Sequence, residues 1–237
     1  MKNSTKEIIN EINTYRDESK AAFLPRFFKT GKGEYGEGDQ FIGVVVPNLR
    51  IVAKKHFDAD FDTLRELLAS PYHEYRLTAL LALTYRYAKL KDHTSRETCV
   101  NFYVSQVDAI NNWDLVDLSC YKILGHWLFD KDKQLLYDWA KENHLWKQRI
   151  AMISCMHFVK QGEFKDALAI ADLLQHHPHD LIHKAVGWIL REIGKEDEQL
   201  LVDYLTPRYK EMPRTMLRYA IERFEEGKRK AFVNSMI

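Results

Sequence analysis

Helix breakers are nearly confined to one short stretch of this chain. Of its 10 glycines, five fall between Gly31 and Gly43, and only 6 prolines are spread over 237 residues. Elsewhere apolar residues recur at helical spacing, and the pattern predicts an all-α fold. Residues 75–90 are apolar at Leu77, Leu80, Leu81, Ala82, Leu83 and Tyr87, broad enough for a helix buried on every side. Comparable patterns predict helices over residues 4–14, 47–56, 61–69, 96–107, 113–129, 133–141, 145–160, 164–174, 181–193, 196–209 and 213–224. Pro47 and Pro213 suit first turns, where the missing amide proton costs nothing.

Four landmarks recur at intervals of about 33 to 38 residues: Glu74-Tyr75-Arg76, Asn112-Trp113-Asp114, Trp146-Lys147-Gln148-Arg149 and Ile182-His183-Lys184. Each interval holds a helix, a turn and a second helix. The period predicts a right-handed HEAT- or armadillo-like solenoid of about six helical pairs, one domain over residues 1–237. One helix of each pair would then line a concave face, with Arg76, Asp117, Arg149 and Lys184 near one groove. The glycine-rich stretch is the exception. Its glycines supply turns and residues 41–46 are rich in β-branched side chains, so a small β-hairpin is expected near residues 31–46. No strand–loop–helix context with Lys-Ser or Lys-Thr follows, which excludes a phosphate-binding loop.

Composition narrows the class. Hydrophobic content of 46% and charged content of 29% are ordinary for a soluble globular protein. Residues 1–18 are charged throughout and lack the apolar core of a signal peptide, and no apolar run approaches membrane-spanning length. The odd, scattered cysteines Cys99, Cys120 and Cys155 read as buried thiols, and the expected location is cytoplasmic. Net charge is only +1, but cations cluster at residues 20–32, 50–55, 147–160 and 208–223. Such clusters form either a basic face or plain solvated surface.

Asn112 is a good N-cap, and Trp113 and Asp117 lie four residues apart, stacked on one helix face. An electron-rich ring beside a carboxylate suits a cation, and Trp188 offers a second ring. Taken singly, these residues read equally as core aromatics and first-turn acids favoured by the helix dipole. Asp117 sits at the fifth helical position, beyond the best capping sites, and so calls for another explanation. His176, His177, His179 and His183 tempt as a zinc site through the four-residue spacing of the last two. No cysteine or acid stands at ligand spacing, and no metal is expected. A Ser-His-Asp hydrolase is disfavoured by the lack of a Gly-x-Ser-x-Gly elbow.

Four blocks occur in order: Phe41-Ile42-Gly43-x-x-x-Pro47-Asn48-Leu49-Arg50, Trp113-Asp114-x-Val116-Asp117, Trp146-x-Gln148-Arg149, and Lys184-Ala185-x-Gly187-Trp188-x-Leu190-Arg191-Glu192. Together they resemble the AlkD-like DNA alkylation repair family, the HEAT-like repeat DNA glycosylases. The resemblance spans nearly the whole chain. Phe27 stands where the family has a tyrosine, and Val45 where it can carry a glutamine. The resemblance implies N-glycosidic cleavage of cationic N3- and N7-alkylpurines in duplex DNA, without a metal or redox cofactor. It implies that Asp117, Trp113 and Trp188 face the lesion and that Arg149 contacts the DNA backbone. The clustered cations add Lys147, Lys29, Lys32, Arg50 and Lys54 as expected DNA contacts, and the groove adds Lys184. A monomer away from membranes is expected. The alternatives are a non-excising binder of branched or damaged DNA with the same fold, as relatives with a glycine-rich insertion resemble, and a protein–protein scaffold.

Overall fold

A computed structural model describes residues 4–234, which are all-helical with no sheet. The packing divides into two compact units that meet in sequence between Ile123 and Leu124.

The first unit contains α1 (Thr5–Asn13), α2 (Glu18–Phe27), α3 (Val46–Lys55), α4 (Phe61–Leu68), α5 (His73–Lys89), α6 (His93–Ser105) and the one-turn α7 (Trp113–Asp117). Helix α5 is the axis of this unit, contacted by α3, α4, α6 and α7. Every residue from His73 to Thr84 is buried, as its all-round apolar pattern predicts. Asp17, Asp60 and Asp92 cap α2, α4 and α6 through their carboxylates. Helix α2 escaped the sequence reading because it buries no residue completely and therefore has no apolar stripe.

No hairpin forms at residues 31–46. Gly36 N donates to Lys29 O at 3.0 Å, and further turns link Glu34 to Gly31, Glu37 to Glu34 and Asp39 to Gly36. The carboxylates of Glu34 and Glu37 take the amides of Gly31 and Gly33 at 2.8 and 2.7 Å. The amides of Ile42, Gly43 and Val44 all point at one oxygen, Glu74 Oε1, at 3.0, 2.8 and 3.3 Å. With these three amides gathered on a helix carboxylate, residues 42–44 have none to offer a facing strand. The only bridge among the described residues pairs Gln40 with Tyr72, not with another arm of the loop. Gly43 has φ +84°, and a Cβ there would lie 2.0 Å from Asp17 O, so only glycine lets the segment turn against α2. Burial raises the Glu74 carboxyl pKa against the pull of those amides.

The expected single helix over residues 113–129 is also broken. Ser119 Oγ donates to Leu115 O at 2.6 Å, a π-turn covers Tyr121–Gly125, and α8 is only His126–Leu128.

The second unit adds α9 (Gln134–Lys141), α10 (Leu145–Val159), α11 (Lys165–Leu174), α12 (Asp180–Glu196), α13 (Glu198–Leu205), α14 (Arg214–Ala220) and α15 (Glu226–Val233). Helices α10 and α12 pack together and gather α9, α11, α13 and α14 around them. Cys99 and Cys120 in the first unit and Cys155 here are buried thiols that form no disulfide. Among the described residues no helix is long and apolar enough to cross a membrane.

Gly187 permits the close approach of α12 and α14: an added Cβ would meet Met216 O and Tyr219 Cβ at 2.5 Å. Gly187→Ala is expected to force the two helices apart and cost about 1–3 kcal/mol. Thermal denaturation checks this, and an unchanged Tm would show that the contact yields freely.

Candidate functional site

The N-terminal end of α5 carries charge into the interior. His73 and Arg76 lie one turn apart on this helix and face Asp39 from the glycine-rich loop and Asp114 from α7. His73 Nε2 lies 2.8 Å from Asp114 Oδ2, and its Nδ1 lies 3.3 Å from Asp39 Oδ2. Arg76 Nη2 donates to Asp39 Oδ1 at 2.6 Å, and Asn112 Nδ2 to Asp39 Oδ2 at 3.0 Å. None of these five side chains exceeds 8% exposure.

A histidine with carboxylates at both ring nitrogens donates from both, and so is an imidazolium. Burial works to lower the His73 pKa, but the Asp114 charge and the hydrogen bonds to Asp114 and Asp39 raise it to about 9. For Asp39, burial opposes the charge, yet His73 and Arg76 hold the carboxyl below the usual carboxylate range. Two cations thus balance two acids, which lessens the cost of burying the four charges.

Aromatic rings cover this quartet. Phe28 and Phe41 lie 4.7 and 5.0 Å from the His73 ring and 5.0 Å from each other. Trp113 stacks on Phe28 at 5.4 Å with an interplanar angle of 12°, and Phe27 meets its edge at 6.0 Å. Asn112 caps α7 as the sequence predicts: its Oδ1 accepts from Trp113 N at 2.9 Å, while its amide nitrogen is held by Asp39. The quartet therefore aims the turn that carries Trp113 and Asp117.

Trp113 is half-buried, and Asp117, one turn later, is 9% exposed. The Asp117 charge reaches the fully buried Tyr103, whose phenol pKa is pushed up by burial and then by neighbouring charge. On α3, Arg50 is half-buried within electrostatic reach of Tyr121, and Lys54 is exposed. Lys29 and Lys32 are exposed on the loop after α2, Lys29 in the left-handed region at φ 55°.

The remaining expected site residues belong to the second unit. Trp188 is half-buried on α12. Lys147 pairs with Glu142 at 2.6 Å and Lys184 with Asp180 at 2.7 Å. Two arginines expected in a groove are buried instead. Arg149 is 4% exposed and its guanidinium donates to Leu181 O at the start of α12, while Arg76 joins the quartet. A guanidinium brings five donors, so a buried carbonyl or carboxylate can claim it as readily as a phosphate. His177 is bonded to Gln148 and His183 to the His177 carbonyl. Among the described residues no three metal-ligating side chains gather.

The sequence model of a family described as DNA alkylation repair enzyme matches residues 8–224. The chain belongs to this family. Membership supports a DNA-binding role in alkylation repair. A predicted DNA alkylation repair enzyme from Enterococcus faecalis superimposes with a TM-score of 0.68 at 14% identity, covering 89% of this chain and 97% of that one. AlkD2 from Streptococcus mutans gives a TM-score of 0.54 at 16% identity, with 88% and 99% covered. At these identities the likeness is one of fold. No curated protein sequence matches the chain.

The quartet sets a pH dependence with a definite sign. His73 has a folded pKa of about 9 against an ordinary 6.5, so its contribution is complete below pH 6.5 and lost as pH rises through 9. Wild-type protein is expected to lose roughly 3 kcal/mol across that window. His73→Gln is expected to be less stable at pH 6.5 and to respond weakly between pH 6.5 and 9.5. Denaturant titrations at both pH values measure it, and equal slopes for both proteins would assign the effect to another group.

Proposed function

We propose that this protein binds duplex DNA as a cytoplasmic monomer and cleaves the N-glycosidic bond of cationic N3- or N7-alkylpurines. The observation that carries the reading is the pairing of Trp113 with Asp117 on α7, aimed by a buried ion quartet, in a DNA alkylation repair family chain. An alkylated purine already bears positive charge and leaves with the bonding electrons. Positive charge then moves to the sugar, where Asp117 stabilises it and orients the attacking water, while Trp113 offers its ring to the cation. Trp188 presents a second aromatic surface to the DNA from its own unit.

Lys29, Lys32, Arg50, Lys54, Lys147 and Lys184 supply the backbone contacts in this reading. The partners of Lys147 and Lys184 are surface acids, and such pairs are weak enough to exchange for phosphate. Arg149 acts through α12, whose first turn it ties down, rather than through a phosphate.

A second reading, a binder of branched or damaged DNA that breaks no bond, is favoured by one observation. Asp117 is nearly buried, so a sugar must come very close to α7 to feel its charge.

Release of free base from duplex containing 7-methylguanine separates the two. Asp117→Asn keeps size and hydrogen-bonding capacity while removing the charge, and is expected to slow excision about a hundredfold, near 3 kcal/mol, with DNA affinity retained. A wild type that binds the duplex tightly yet frees no base sinks the catalytic reading in favour of the binder.

Salt titrations sort the cations. Lys184→Ala is expected to lower the log–log slope of DNA affinity against salt by about one, with stability unchanged. Arg149→Ala is expected to leave that slope alone and destabilise the fold by about 1–3 kcal/mol, since the buried guanidinium's hydrogen bond to Leu181 O and the packing of its stem are lost. The reverse pattern would return Arg149 to the phosphate backbone.

A further inference from the structure

Helix α2 presents its aromatics to solvent. Phe23 is 61% exposed and Phe27 is 51% exposed, and their rings stack at 6.2 Å with an interplanar angle of 27°. Phe27 leans on the edge of Trp113, which stacks on buried Phe28, so a run of rings leads from the surface inward. Two adjacent phenylalanines, each more than half exposed, cost solvation that a structural role alone would not require.

Cations gather at the inner end of this ladder. Arg26, Lys29 and Lys32 are exposed there. Glu34 and Glu37 keep their charge but turn it onto the amides of Gly31 and Gly33, and Asp17, at the far end of α2, holds Lys20, so among the described residues no carboxylate forms an ion pair with these three side chains. Flat aromatic faces beside exposed cations match a nucleic-acid strand, whose bases stack while its phosphates are neutralised. A paired duplex hides its base faces in its own stack, so only an unpaired base has a face to offer. Two copies of this surface meeting about a twofold axis would set the same cations against each other.

We propose that Phe23 and Phe27 form a stacking platform for an unpaired base in DNA, with Arg26, Lys29 and Lys32 taking the flanking phosphates. This rests on the DNA-binding part of the reading above and not on base excision. The platform gives the protein a preference for DNA with an extrahelical nucleotide, whatever chemistry follows at α7.

The test uses the full chain and two oligonucleotide duplexes, one carrying 2-aminopurine as a single-nucleotide bulge and one fully paired. Wild type is expected to bind the bulged duplex about tenfold more tightly and to quench its fluorescence. Phe23→Ala should lose about tenfold in affinity on the bulged duplex and little on the paired one. Phe23→Leu, which keeps apolar bulk without a ring face, should behave like Phe23→Ala, whereas Phe23→Tyr should behave like wild type. Phe23 is exposed, so these variants are expected to keep the wild-type Tm. Equal wild-type affinity for the two duplexes would overturn the platform and leave duplex binding standing. Failure to bind either would overturn both. A Phe23→Ala protein that still prefers the bulge, or one whose only change by sedimentation is loss of self-association, would also overturn it.

Discussion

The ion quartet of His73, Arg76, Asp39 and Asp114 joins segments far apart in the chain. His73 is 34 residues from Asp39 and 41 from Asp114. No local propensity brings these together, and none would stay buried if a partner were lost, because a single uncompensated charge in the interior is expensive. The loop after α2, the first turn of α5 and the start of α7 therefore come into register as a set. Trp113 takes its seat on Phe28 because Asn112 and Asp114, on either side of it, are both held by that set.

Much of the architecture was readable in advance because helix formation and burial leave periodic traces. The all-round apolar pattern of α5, the Asn112 cap and the four-residue step from Trp113 to Asp117 are local, and each appears where the spacing puts it. The failures have separate causes. Helix α2 carries no buried stripe, and the glycine-rich loop looks like a hairpin until Glu74 claims its amides from 30 to 32 residues away. The break after α7 turns on Ser119, whose hydroxyl competes for helix carbonyls, an effect that composition does not announce.

Basic residues were the least legible. Arg76 and Arg149 share a sequence signature with surface cations, since each opens an apolar helix. The difference lies in what stands opposite: a carboxylate for one, a carbonyl in the first turn of a neighbouring helix for the other. His73 and Arg76, one turn apart at the head of the most buried helix, were a signal of a charged interior, because a helix that hides every face must hide those two as well.

The buried thiols carry a consequence for a protein of this family. The electrophiles that alkylate DNA also attack sulfur, and a thiolate is the keenest nucleophile among the side chains. Cys99, Cys120 and Cys155 are at most 1% exposed, and burial raises the Cys99 thiol pKa, disfavouring its ionised form. The fold thus keeps all three thiols away from solvent, where electrophiles of that kind would meet them.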